Sequence, residues 1–158
     1  MAGRPLKFAT PEELQEKIGE HFRSEKHLCD FLEENIDKFA KTWLGSDLEE
    51  YKREWELKKW KRNFGPRQPR IDFFIRLKNG KKIGVECKKP KQVFHEMTRA
   101  ISQVLSYGVI AEKNGEKLDE LILVSDKYDE TTFAVLKEYK LPIRLLIIGR
   151  YITAEARV

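Results

Sequence analysis

Cysteine and histidine are scarce in this chain. Its 158 residues hold two cysteines, Cys29 and Cys87, and three histidines, His21, His27 and His95. Neither type falls in metal-ligand spacing, and the cysteines form no C-x-x-C pair. They read as reduced structural thiols rather than a disulfide or a zinc site, and the histidines as structural or surface residues. Long apolar runs are also missing: none approaches the roughly 20 residues that span a bilayer. The N-terminal "MAGRPLKFATPEELQ" has no apolar signal-peptide core. The expectation is a cytoplasmic protein with no membrane partner. There is no internal repeat and no low-complexity segment, and the length suits one domain, 1–158, with a tail and accessory helix over 1–23 and a core over 24–149.

One more scarcity is local. Between Leu57 and Lys91 thirteen residues are Lys or Arg, and the only two acids are Asp72 and Glu86. A tract this basic suits a polyphosphate partner, because each cation that neutralises a phosphate releases condensed counterions. An ordinary solvated surface has the same composition. The interleaved Trp60 and Phe64 and the loop "NFGPRQPR" favour nucleic acid, with Lys58, Lys59, Lys61, Arg62, Arg67 and Arg70 as the residues that would grip a DNA backbone.

Hydrophobic spacing lays out the elements. Thr10, Pro11 and Glu13 signal a helix start, and Leu14, Ile18 and Phe22 fall on one face. A second helix is expected from Ser24 to Leu44, carried by Leu28, Phe31, Leu32, Ile36, Phe39 and Trp43 and ended by Gly45. The next stretch reads as a short helix followed by an edge strand ending near Leu57. Ile71 to Leu77 and Lys81 to Lys88 make a hairpin around Asn79-Gly80. Then come a helix over about Val93 to Ala111, the strand "LILVSD", a helix near Asp129 to Tyr139 and the strand "IRLLIIG". The last two strands are apolar on both faces, as central strands covered by helices are. This order predicts an α/β three-layer sandwich with a central mixed sheet.

The hairpin register decides whether its two acids meet. A two-residue turn would put Asp72 and Glu86 on opposite faces. A turn of Lys78, Asn79 and Gly80 pairs Leu77 with Lys81 and sets Asp72 across from Glu86. It also gathers Ile71, Phe73, Ile75 and Leu77 with Ile83, Val85 and Cys87 on one apolar face, so the sequence favours it. Two opposed carboxylates repel, and a sheet built only for structure avoids them. A Mg²⁺ ion removes the conflict, since carboxylate oxygens are its usual protein ligands. Lys88, on the same face, would then orient a water or stabilise developing negative charge. A salt-bridged surface cluster of Asp72, Glu86 and Lys88 is the alternative these residues leave open.

An Asp followed after a hairpin by Glu-x-Lys, here Asp72 and Glu86-Cys87-Lys88, resembles the motif of the PD-(D/E)xK nuclease superfamily. The restriction-endonuclease-like core of that superfamily is a helix, a three-stranded meander, a helix and a strand. Gln103 and Tyr107 in "QVLSY" are similar to the Q-x-x-x-Y motif of its RecB-like branch, with Arg99 on the same stripe to meet a phosphate. Ile71 stands where the motif's proline would precede Asp72, and the nearest proline is Pro69. The resemblance implies a Mg²⁺-dependent DNA nuclease, with Mn²⁺ as a substitute, hydrolysing phosphodiesters as an endonuclease, alone or as a homodimer. It implies metal ligation by Asp72, Glu86, the Cys87 backbone carbonyl and an acid of the first core helix. Glu25 is chosen over Glu33 and Glu34, because it shares the inward stripe of Leu28 and Leu32. Lys88, Gln103 and Tyr107 would position water or the strand. A non-catalytic DNA-binding module on the same fold is the alternative.

The N-terminal "GRPLKF" resembles half of an AT-hook arm, and with "TPEELQEKI" the opening of some phage small terminase subunits. These similarities imply a phage or prophage origin and a DNA-packaging role as a further alternative.

Overall fold

Ser24 opens the first described helix as expected: its Oγ accepts the main-chain N–H of His27 at 3.1 Å, satisfying a first-turn donor. The computed structural model describes residues 22–58, 68–127, 129–148 and 153–156. The expected N-terminal helix up to residue 21, the Arg-Pro tail, and Lys59, Lys61, Arg62 and Arg67 lie outside the described residues.

Helix α1 spans Glu25–Glu34. The single helix expected to reach Leu44 is interrupted at Asn35, whose buried side chain donates through Nδ2 to the Phe31 carbonyl at 2.8 Å. An amide that competes for helix carbonyls favours a break over continuation. The chain restarts as α2, Ile36–Phe39, and a π-helical turn, Ala40–Leu44, that stops at Gly45 with φ of +78°. The apolar stripe survives the interruption, since Leu28, Phe31, Leu32, Ile36, Phe39 and Trp43 are all buried.

Strand β1 runs from Leu48 to Glu56, so the stretch expected to begin as a short helix is strand from Leu48 onward. A bulge between Leu48 and Glu50 disturbs its alternation, which is why Leu48, Tyr51 and Trp55 give a helix-like spacing in the sequence. β2 (Arg70–Leu77) and β3 (Lys82–Lys88) form the hairpin. α3 (Val93–Lys113), β4 (Glu120–Ser125), α4 (Glu130–Glu138) and β5 (Ile143–Ile148) follow as expected. A strand that the sequence did not signal, β6 (Thr153–Ala156), closes the sheet.

The six strands among the described residues lie in sequence order. β1, β2 and β3 make an antiparallel meander, β3 to β5 are parallel, and β6 is antiparallel to β5. On one face α1, α2 and the π-helical turn pack on Phe73, Ile75, Val85, Cys87, Val124 and Leu146. On the other, α3 and α4 pack on Leu123, Leu145 and Ile147. The alternation of these sets along β4 and β5 makes the sheet the middle of three layers, as the sequence predicts. No helix among the described residues is long and apolar enough to cross a membrane.

Candidate metal centre

The hairpin turns through three residues. The Leu77 N–H donates to the Lys81 carbonyl at 3.0 Å and the Gly80 N–H to the Leu77 carbonyl at 2.9 Å. Gly80 has φ of +90°, a conformation that glycine adopts without Cβ strain. Pairing then runs from Arg76–Lys82 to Phe73–Val85. Continued one step, that register sets Asp72 opposite Glu86.

At that step the sheet changes character. Arg53 of β1 lies over the Phe73 ring at 5.9 Å and pairs with Asp30 and Glu33 of α1. Two residues later Trp55 packs on Phe74 at 4.6 Å and joins Tyr107 and Leu118 on the α3 side. Between them Glu54 has φ of +52°, which breaks the strand's alternation. Ile71, paired with Trp55, makes the same crossing: its Cδ1 lies 2.6 Å from where a Gly84 Cβ would stand, next to Leu118. The expected placement of Ile71 beside Phe73 and Ile75 is therefore corrected. Asp72 sits at the crossing point, and its Oδ2 accepts the main-chain N–H of Cys87 at 2.8 Å.

The three acids converge here. Glu25 on α1, Asp72 on β2 and Glu86 on β3 each offer a carboxylate oxygen within 4.8 Å of the others. Lys88 Nζ lies 3.5 Å from Glu25 Oε1. Glu33, a rejected alternative, is held by Arg53 at 3.2 Å instead. Glu86 is the buried member, 5% exposed, and its Oε2 has no hydrogen-bond partner. Burial first, and then the Asp72 carboxylate beside it, push its pKa up to about 9. Burial also raises Glu25, against the pull of Lys88. Burial favours the neutral acid, and a neighbouring carboxylate adds like-charge repulsion.

Helix α3 closes the site from the other layer. Tyr107 is half-buried, and burial and the Glu86 charge push its pKa up to about 12, with the neighbouring Gln103 acting the other way. The phenol therefore stays a hydrogen-bond donor. Gln103 Oε1 is buried without a partner. Arg99, one turn earlier, is exposed. Among the expected DNA-gripping residues that are described, Lys58 is exposed, and Arg70 lies 3.7 Å from Glu56.

Two neighbours were not singled out for the site in the sequence. Cys29 brings its sulfur within 4.8 Å of both Asp72 and the Cys87 sulfur. A hydrogen bond with Cys29, and then burial, raise the pKa of the fully buried Cys87 thiol. Asp126, buried just after β4, holds Lys89 Nζ at 3.2 Å. Lys89 is thereby tied away from Glu25, to which Lys88 turns. A carboxylate ending an otherwise apolar strand was the available signal.

No family model and no curated protein matches the chain. Among solved structures it is similar to the EndoMS-dsDNA2 complex, at 20% identity and a TM-score of 0.44, over 80% of this chain and 45% of that one. It is also similar to a repair endonuclease from Pyrococcus abyssi, at 22% identity and a TM-score of 0.48, over 82% of this chain and 49% of that one. The chain thus spans about half the length of the solved chains it matches.

Proposed function

We propose that this chain is a Mg²⁺-dependent nuclease that hydrolyses DNA phosphodiester bonds as an endonuclease. The observation that carries this reading is the convergence of Glu25, Asp72 and Glu86, with carboxylate oxygens within 4.8 Å of one another, beside Lys88. The donor set fits the ion. All three groups are hard oxygen ligands of the kind Mg²⁺ takes at about 2.1 Å, their oxygens lie within 4.8 Å of one another, and Glu86 Oε2 is buried without a hydrogen-bond partner. When bound, Mg²⁺ or Mn²⁺ would polarise a phosphoryl oxygen and acidify a coordinated water.

The chain's own residues divide the remaining work. Glu25, Asp72 and Glu86 would hold the ion, with the Cys87 carbonyl as a further ligand. The Cys87 N–H already fixes the Asp72 carboxylate. Lys88, drawn toward Glu25, would donate to the attacking water or to the charged phosphoryl oxygens. Gln103 and Tyr107 would position the water or the strand, and Arg99, Lys58 and Arg70 would meet backbone phosphates.

Plasmid and branched-DNA cleavage tests this reading, with Mg²⁺, with EDTA and with Glu86→Ala. Mg²⁺-dependent nicking lost in the variant is the expected result. A protein that retards DNA in a gel yet leaves every substrate intact would instead be a binding module.

A further inference from the structure

We propose that Cys29, Asp72 and Cys87 form a second cation site, for a thiophilic divalent ion such as Zn²⁺ or Cd²⁺, which shares Asp72 with the carboxylate centre and disables it when filled. Two sulfurs and one carboxylate oxygen lie within 4.8 Å of one another, and they come from α1, β3 and β2. The layout follows from the chain's periodicities. Glu25 and Cys29 are four residues apart on α1, hence on one helical face. Glu86 and Cys87 are consecutive on β3, hence on opposite faces of the sheet. Asp72, at the crossing point, lies within 4.8 Å of both the Glu25 and Glu86 oxygens and the two sulfurs. One shared carboxylate thus joins a hard donor set to a soft one.

The donor set is that of a three-ligand zinc site with an open fourth position, whose bonds are about 2.3 Å to sulfur and about 2.0 to 2.2 Å to oxygen. Thiolates select zinc-like ions, whereas Mg²⁺ takes oxygen ligands. On binding, each thiol gives up its proton to the buffer and its sulfur becomes a ligand. The site lies at the edge of the core: Cys29 is 6% exposed, Asp72 is partly exposed, and Cys87 is fully buried. An ion held there engages Asp72 and withdraws it from Glu25 and Glu86. This inhibitory consequence rests on the proposed nuclease reading, and occupancy of the site does not.

The test uses the reduced full chain and Cd²⁺ as probe, read by the ultraviolet thiolate-to-cadmium charge-transfer band. A saturating band at one cadmium per chain is expected, lost in both Cys29→Ala and Cys87→Ala. Absence of the band in the wild type, or its persistence at full intensity in Cys29→Ala, overturns the site. A second arm measures plasmid cleavage in saturating Mg²⁺ with added Zn²⁺. Inhibition of at least about tenfold is expected in the wild type and relief in Cys29→Ala, which keeps the basal rate. If the band forms and Zn²⁺ leaves cleavage unchanged, the competition is overturned. If no Mg²⁺-dependent cleavage occurs at all, the nuclease reading fails while the band still decides the site.

Discussion

Asp72 Oδ2 and the Cys87 main-chain N–H, 2.8 Å apart, join the two strands of the hairpin where their regular pairing stops. The bond fixes the carboxylate between the acids of α1 and β3, so structure and chemistry draw on the same side chain. Asp72→Asn keeps an oxygen acceptor for the N–H and removes the charge. It should fold with little loss of stability and lose at least about a hundredfold in cleavage rate, since metal-centred charge stabilisation is worth several kcal/mol. Asp72→Ala also strands the N–H and should cost a further ~1–3 kcal/mol. Urea unfolding and plasmid nicking on both variants separate the two effects.

Glu86 makes the metal-free protein sensitive to pH. Its pKa rises from 4.5 to about 9 on folding, so the native state binds more protons than the unfolded chain between those values. Where the native state binds more protons, stability falls as pH rises. With EDTA present, the thermal midpoint should therefore drop steadily from about pH 5 to about pH 9, and Glu86→Gln should flatten that slope. For a chain of this size each kcal/mol corresponds to roughly 2–4 °C. Mg²⁺ at the alkaline end should raise the wild-type midpoint and leave that of Glu86→Gln nearly unmoved.

The hairpin was legible because two independent sequence signals agree on it. Gly80 permits the positive φ that a three-residue turn needs, and Ile75 and Leu77 share a face with Ile83 and Val85 only in that register. Glu25 was legible by helical spacing from Leu28 and Leu32. The crossing at Trp55 and Ile71 was not, because the residue that makes it is Glu54, at φ of +52°, and a glutamate gives no turn signal. Asn35 hid the helix break in the same way, since the apolar stripe continues through it. Cys29 passed as core because its environment is apolar on the α1 side. Only the three-dimensional crossing brings Asp72 to its sulfur.

Lys88 and Glu25 separate activity from stability. Their side chains are 22% and 46% exposed at a separation of 3.5 Å, and an ion pair that solvated contributes no more than about 1 kcal/mol. Lys88→Ala should therefore unfold within about 1 kcal/mol of wild type. Its cleavage rate should fall by about 10²–10³, as for loss of one donor to developing charge, while DNA retardation in a gel changes little. Lys88→Arg is expected to restore the charge but not the rate, because a planar fork cannot take the place of a compact ammonium.

Gly84 and Gly80 are both hairpin glycines, and they should answer to alanine differently. A Cβ at Gly84 would stand 2.6 Å from Ile71 Cδ1 and 2.8 Å from Leu118 Cδ1, in a packed interior where overpacking costs about 1–3 kcal/mol. Ile71 must yield, and it is the residue before Asp72. Gly84→Ala should thus lose both stability and cleavage, by roughly tenfold if the carboxylate is displaced by only a fraction of an ångström. At Gly80 nothing lies within 4 Å and the strain is purely conformational, at φ of +90°. Gly80→Ala should cost about 1 kcal/mol or more in stability and leave the rate per folded molecule unchanged. Equal rate losses in the two variants, at matched fraction folded, would mean that the Ile71 contact does not set the position of Asp72.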